Sequence, residues 1–427
     1  MIIHSKIFNE KQYENIINII NDDKNNNITC IVDLIKKYFG INDFLIKIKN
    51  DNMLLQKFII KCDINYDLFN IIKNNIIKIC IGNYKCKYCI EYKLILILHL
   101  LNDFTNWKTL IKCIFYEPLL HVKSHYKNIY RQYRQWCLKG IFKKAFHSII
   151  PFDQSNLLNN INNKSDPLNN IDDESDSSNN TNNNSDPLNN TDNESDSFNN
   201  TNNNLYSLNN TDNKSDSIKV TNNEIDDFYN VDIKTDFFID ATYIPNKNGF
   251  EDVVVNPELK KKNVTKLSTL SDVDGFILSV SLSKSKKKKI KYNKKEIKTA
   301  NHDIELIQDL LNECNPSIKI SDDKKYSLIG DKGYKTGKNY YIQKEEITII
   351  SPDKKNQKKK LINRHQKKKL GYRFIIENSI NGFKHNSRIS IRKDGKSNTF
   401  MGWVFISCLL YNIRVNKKKE KEYKDIF

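Results

Sequence analysis

Three carboxylates, Asp240, Asp331 and Glu377, occupy contexts suited to metal-binding acids, and they follow one another in the order strand, strand, helix. Asp240 lies in DFFIDATYI, where apolar and β-branched residues on both sides of one acid predict a buried strand carrying a charge. A lone buried carboxylate needs a cation or hydrogen-bond donors to stay ionised. Asp331 ends the apolar run YSLIGD and lies between Gly330 and Gly333, which let the backbone turn sharply beside a ligand. Glu377 falls in YRFIIENSINGFK, which reads as a helix. At about 100° per residue, Arg373, Glu377 and Lys384 share a direction beside an apolar stripe of Ile376, Ile380 and Phe383. Oxygen-only ligands favour Mg2+ or Mn2+ over zinc, and a pair of such ions suits cleavage of a phosphodiester by stabilising the attacking and leaving oxygens. Asp240, Asp331 and Glu377 are acids that such ions would suit.

The elements that must position these acids follow from apolar periodicity. Strands are predicted at 236–244, 264–271, 275–283, 326–331 and 347–351, and helices at 301–314, 370–386 and 399–413, a mixed α/β domain over 231–415 with a basic tail at 416–427. Upstream, 1–150 reads as mainly helical, with helices at 11–20, 31–38, 54–62, 66–79, 90–101 and 125–146. Residues 1–85 form a helical region of no assigned role. The last predicted helix mixes Tyr130, Tyr133 and Trp136 with Arg131 and Arg134, a pattern that fits a DNA-binding domain over 86–150 and an ordinary amphipathic helix alike. Between the two parts, 151–230 is dominated by ten-residue units such as TNNNSDPLNN and TDNESDSFNN. With so few apolar side chains these units cannot offset the entropy of ordering, so a disordered linker is expected.

The net charge of the 427 residues is +18, and its distribution is uneven. From Val231 to Phe427 there are 43 basic and 24 acidic residues, so all of the excess positive charge lies in the part that carries the acids. The cations cluster at 284–289, 291–298, 354–369 and 417–424. Such blocks suit the phosphate backbone of a nucleic acid; solvated lysine-rich loops are the alternative. Nine cysteines without a signal peptide or an apolar span suit an intracellular, DNA-associated protein, nuclear if the host is eukaryotic, with no membrane partner. The apolar segment 400–411 is short for a span and reads as a buried helix. Cys80, Cys86, Cys89 and His99 lack a second clear pair and fit buried thiols as well as zinc. His302 and Asp303 open a helix, where capping and a supporting role near the metals are both open readings.

The stretches FFIDATYI, VTKLSTLSDVDGFILSVSLS, NHDIELIQDLL, SLIGDKGY and YRFIIENSINGFKHNSRISIR resemble the DDE transposases of bacterial insertion sequences and their Harbinger relatives. One branch of that family has an element Y-x2-R-x3-E-x6-K. Arg373, Glu377 and Lys384 fit it, while the tyrosine position is Leu370, with Tyr372 two residues later. Trp107, Trp136, Gly140 and Phe142 are similar to the amino-terminal helical region of the same family. The resemblance implies a ribonuclease H-like mixed sheet with flanking helices, preceded by the helical domain and the linker. It implies Asp240, Asp331 and Glu377 as catalytic ligands of two Mg2+ or Mn2+ ions, and Arg373, Lys384, Arg388 and Lys266 as DNA-binding residues. It further implies cutting of transposon ends in double-stranded DNA, joining to target DNA, and a homodimer within a synaptic complex. A DNA-binding protein derived from a transposase but lacking catalysis is the alternative.

Overall fold

The computed structural model describes residues 10–22, 27–80, 88–102, 107–117, 125–151, 236–256, 262–289, 296–300, 302–314, 325–336, 338–342, 344–353 and 362–426. The repeats lie outside the described residues. Met1–Phe152 and Asp232–Phe427 together make one compact unit.

The amino-terminal part is helical: α1 (Glu10–Asn21), α2 (Ile28–Tyr38), α3 (Ile41–Ile48), α4 (Asn52–Lys61), α5 (Tyr66–Ile79), α6 (Ile90–Asn102), α7 (His125–Leu138) and α8 (Ile141–His147). Three of these begin at polar caps. The side chains of Asn27, Asp51 and Asn65 accept the N–H of Cys30, Leu54 and Leu68, satisfying donors that a helix start leaves open. The helix predicted at 125–146 is broken in two. Gly140 adopts φ +66°, a left-handed backbone that side-chain-bearing residues rarely take.

The carboxyl-terminal part is α/β, a curled mixed sheet with flanking helices. Its strands are β1 (Asp236–Pro245), β2 (Val254–Asn256), β3 (Lys262–Ser271), β4 (Ile277–Leu282), β7 (Tyr326–Ile329), β8 (Tyr340–Ile342) and β9 (Glu345–Ile350). A separate two-stranded ribbon pairs β5 (Ser285–Lys289) with β6 (Glu296–Ala300). Strand order in the main sheet is β2-β3-β1-β7-β9-β8, with β4 also against β3. β1, β3 and β4 are antiparallel neighbours, whereas β7 runs parallel to β1 and β9 parallel to β7. The two faces are separate cores because side chains alternate along a strand. Phe237, Ile239, Leu328 and Tyr334 pack with Ile307, Leu310 and Leu311 of α9 (Asp303–Asn312). Phe238, Ile244 and Ile329 pack on the opposite face with Ile376, Ile380 and Phe383 of α11 (Phe374–Lys384), which follows α10 (Arg364–Gly371). Full burial of each such side chain contributes roughly 1.5–3 kcal/mol. The single helix predicted at 370–386 is thus two helices meeting at Tyr372 and Arg373.

After the four-residue α12 (Ser387–Ser390), the chain ends in α13 (Ser397–Ile426). Phe400, Trp403, Val404, Ile406, Cys408, Leu409 and Ile413 are buried around much of its circumference, as befits a helix covered on several sides. Tyr133 of α7 stacks on Trp403 at 4.4 Å and donates its hydroxyl hydrogen to the Thr399 carbonyl at 2.8 Å, and Phe146 of α8 meets Phe405 at 5.8 Å. Residues 86–150 and 231–415 therefore share a core instead of standing apart. α13 also runs on through the segment read as a tail. Lys417 pairs with Asp67 at 2.6 Å and Lys419 with Asp274 at 2.5 Å, so part of that basic block is neutralised within the chain. No described helix is long and apolar enough to cross a membrane.

His147, at the end of α8, is partly buried against Phe146, and burial, with the charge of Lys143, lowers its pKa to about 4. A histidine depressed in the folded state stabilises fully above its unfolded value near 6.5 and loses that contribution as pH falls toward 4. The melting temperature should drop over that interval, and His147→Gln should flatten the drop. An identical pH profile for the variant would contradict the assignment.

Candidate metal and phosphate site

The parallel pairing of β1 with β7 aligns Phe238 with Ile329. Asp240 lies two residues beyond Phe238, in the middle of β1, and Asp331 lies two residues beyond Ile329, just past the end of the adjacent strand β7. Ala241 donates its N–H to Asp240 Oδ1 at 2.8 Å, and Gly333 donates to Asp331 Oδ1 at 2.7 Å, so each carboxylate is oriented by its own turn or strand. Gly330 admits this turn through lack of a side chain, since a Cβ there would lie 2.7 Å from the Tyr334 ring and 3.0 Å from Ile239.

Alternate residues of β1 face α10 and α11, and the polar ones, Asp236, Asp240 and Thr242, each meet a different cation. Lys369 donates to Asp236 at 2.6 Å and to Ser327 of β7 at 3.2 Å, a buried pair at one end. Arg373 lies over Asp240, and Lys384 donates to Thr242 Oγ1 at 2.9 Å. Arg373 Nη2 is 3.9 Å from Asp240 Oδ2 and 3.7 Å from Glu377 Oε1, which draws the helix acid toward the strand acid. These separations exceed hydrogen-bond range, and the buried Arg373 Nε has no hydrogen-bond partner among the described residues. Burial raises the Asp240 pKa; the Ala241 N–H and Arg373 oppose that shift, and the charges of Asp331 and Glu377 add to it. The three acids therefore share one electrostatic environment. Burial lowers the pKa of Lys384.

Asp240, Asp331, Glu377 and Arg373 thus act on one another beside β1, and Lys384 sits two residues further along that strand at Thr242. Two other residues expected to contact DNA are buried instead. Arg388 is 1 % exposed, with its guanidinium 5.5 Å from the Trp107 ring and 5.0 Å from the Trp403 ring, and 3.8 Å from the buried Asp394. A cation enclosed by two indoles cannot reach a phosphate, so Arg388 is a core residue. Lys266 is likewise buried, with Nζ 2.5 Å from Asp303 Oδ1, and its role as a surface DNA contact is corrected to that of an internal counter-charge. Sequence reasoning overlooked the Asp236 and Lys369 pair, although the spacing of Asp236 from Asp240 already put both on one face of the strand.

The donor set of Asp240, Asp331 and Glu377 is all oxygen, as Mg2+ or Mn2+ requires. Among the described residues no three His, Cys, Asp or Glu side chains are gathered closely enough to hold an ion as they stand. Arg373 lies between Asp240 and Glu377, and the Glu377 side chain is 55 % exposed, so an ion would require that side chain to turn inward. Of the residues considered for zinc, Cys86 lies outside the described residues, and burial pushes the Cys89 thiol up to about 12.

No protein-family model matches the chain, and no curated protein matches it. Among solved structures, it is similar to the cryo-EM structure of a piggyBac transposase synaptic complex with hairpin DNA, at 8 % identity and a TM-score of 0.31. That similarity covers 45 % of this chain and 48 % of the solved one, so the chain spans about half the length of the structure it matches.

Proposed function

We propose that this chain is a DDE-type DNA transposase with a ribonuclease H-like catalytic core, in which Asp240, Asp331 and Glu377 hold two Mg2+ or Mn2+ ions. The observation that carries this reading is that the charges of Asp331, just past the end of the neighbouring parallel strand, and of Glu377 both act on the half-buried Asp240, with Arg373 between Asp240 and Glu377. The strand order supports the fold assignment: three antiparallel strands followed by two parallel ones. When bound, the ions supply Lewis-acid stabilisation of the attacking and leaving oxygens.

The chain's own residues do the rest. The backbone N–H groups of Ala241 and Gly333 fix the orientation of two carboxylates before substrate arrives. Arg373, with its unpartnered Nε, offers a planar donor group to a phosphate oxygen beside the acids. Lys384, anchored on Thr242, presents a cation one step further along the same strand, where the DNA backbone would continue. The substrate is double-stranded DNA at a transposon end, and the working assembly is a homodimer in a synaptic complex. A DNA-binding derivative without catalysis is the second reading, favoured by the position of Arg373 between two of the acids.

The nucleic-acid part of this reading predicts steep salt dependence. Affinity for duplex DNA should fall by roughly 10³-fold or more between 50 and 200 mM salt. A flat response in fluorescence anisotropy would mean that the basic blocks are not the contact surface.

A further inference from the structure

Asp303 begins α9, where an acid is ordinarily explained by the helix dipole. That explanation leaves three observations without a cause. First, Asp303 Oδ2 and Asp331 Oδ1 both approach the same point: a Cβ at Gly333 would lie 3.5 Å from the former and 2.9 Å from the latter. Second, the Tyr334 hydroxyl is buried and has no hydrogen-bond partner among the described residues, and its side chain is 1 % exposed. The charges of Asp303, Asp240 and Asp331 all act on that phenol, adding to the rise that burial gives its pKa. Third, a buried lysine, Lys266, is committed to Asp303 at 2.5 Å, where a surface cap would need no such partner.

An unpaired buried hydroxyl costs free energy unless something occupies its hydrogen-bonding position. Tyr334 packs in the apolar cluster beneath the sheet, yet three carboxylates exert their charge on its hydroxyl, a setting that suits the water ligands of a divalent cation held at Asp331. Magnesium-like ions retain several waters, and residues that bind those waters tune affinity without touching the metal. We propose that Asp303 and Tyr334 are positioning residues that hold the water ligands of a cation at Asp331, with Lys266 balancing the charge of the fourth acid. This rests on the reading of Asp331 as a cation ligand.

The test is Mn2+ binding to the full chain, followed by electron paramagnetic resonance, with melting temperature measured without metal. Asp303→Asn alone strands the Lys266 ammonium, so Lys266→Gln/Asp303→Asn removes both charges together. Tyr334→Phe removes only the hydroxyl and keeps the question open to measurement if the double variant does not fold. Each should weaken Mn2+ binding about tenfold or more, with Tyr334→Phe melting as the native chain does, and Asp331→Asn should abolish binding. Native-like Mn2+ affinity in both Tyr334→Phe and the double variant, with binding lost in Asp331→Asn, would overturn the inference alone. Absence of Mn2+ binding by the native chain, or native affinity in Asp331→Asn, would overturn the cation reading of Asp331 and this inference with it.

Discussion

Asp331→Asn should bind duplex DNA almost as the native chain does and cleave it roughly 10³-fold or more slowly. The two effects separate because the carboxylate has two tasks. Its Oδ1 accepts the Gly333 N–H at 2.7 Å, a contact that the amide oxygen of asparagine reproduces, so the turn after β7 persists. Its negative charge cannot be reproduced, and a neutral amide is a poor Mg2+ ligand. The measurement is cleavage rate alongside anisotropy-based affinity. An equal loss of binding would place Asp331 in the structure of the DNA surface instead of its chemistry.

Trp403→Ala should destabilise the chain by about 3–5 kcal/mol, the largest effect expected of a single core change. The Trp403 side chain is fully buried and joins the two halves of the molecule: Tyr133 stacks on it at 4.4 Å, Trp107 lies 5.9 Å away, and the Arg388 guanidinium covers it at 5.0 Å. Its loss removes apolar contacts from α7 and exposes a buried cation to a cavity. Denaturant unfolding should show a lower midpoint in both halves, since they share this cluster. A change below about 1 kcal/mol would mean that the helical and α/β parts are held by other contacts.

Much of the sheet was legible because its strands are short apolar runs with distinct ends. The strands expected at 236–244, 326–331 and 347–351 are found at Asp236–Pro245, Tyr326–Ile329 and Glu345–Ile350. The strands missed were β2 and β8, three residues each, and the lysine-rich ribbon of β5 and β6, whose composition hides its extended backbone. α3 was missed because it is only eight residues long, although Ile41, Phe44, Leu45 and Ile48 recur at helical spacing. The acids were legible through their apolar settings and chain order, but the partners of the cations were not. Lys266 and Arg388 look like surface cations in sequence, and only tertiary packing reveals Asp303 beneath one and Trp107 and Trp403 around the other. The union of α7, α8 and α13 was hidden as well, because it depends on residues more than 250 positions apart, such as Tyr133 and Thr399.

The most direct test is nicking, in Mg2+ or Mn2+, of duplex DNA carrying the sequences that flank this gene, with the native chain compared against Glu377→Gln. Glu377 is the outermost of the three acids and contributes no buried contact, so its substitution leaves the fold in place. The proposed function predicts metal-dependent cleavage at a defined end that disappears in the variant. Cleavage by neither protein while both bind the DNA, or equal cleavage by both, would contradict it.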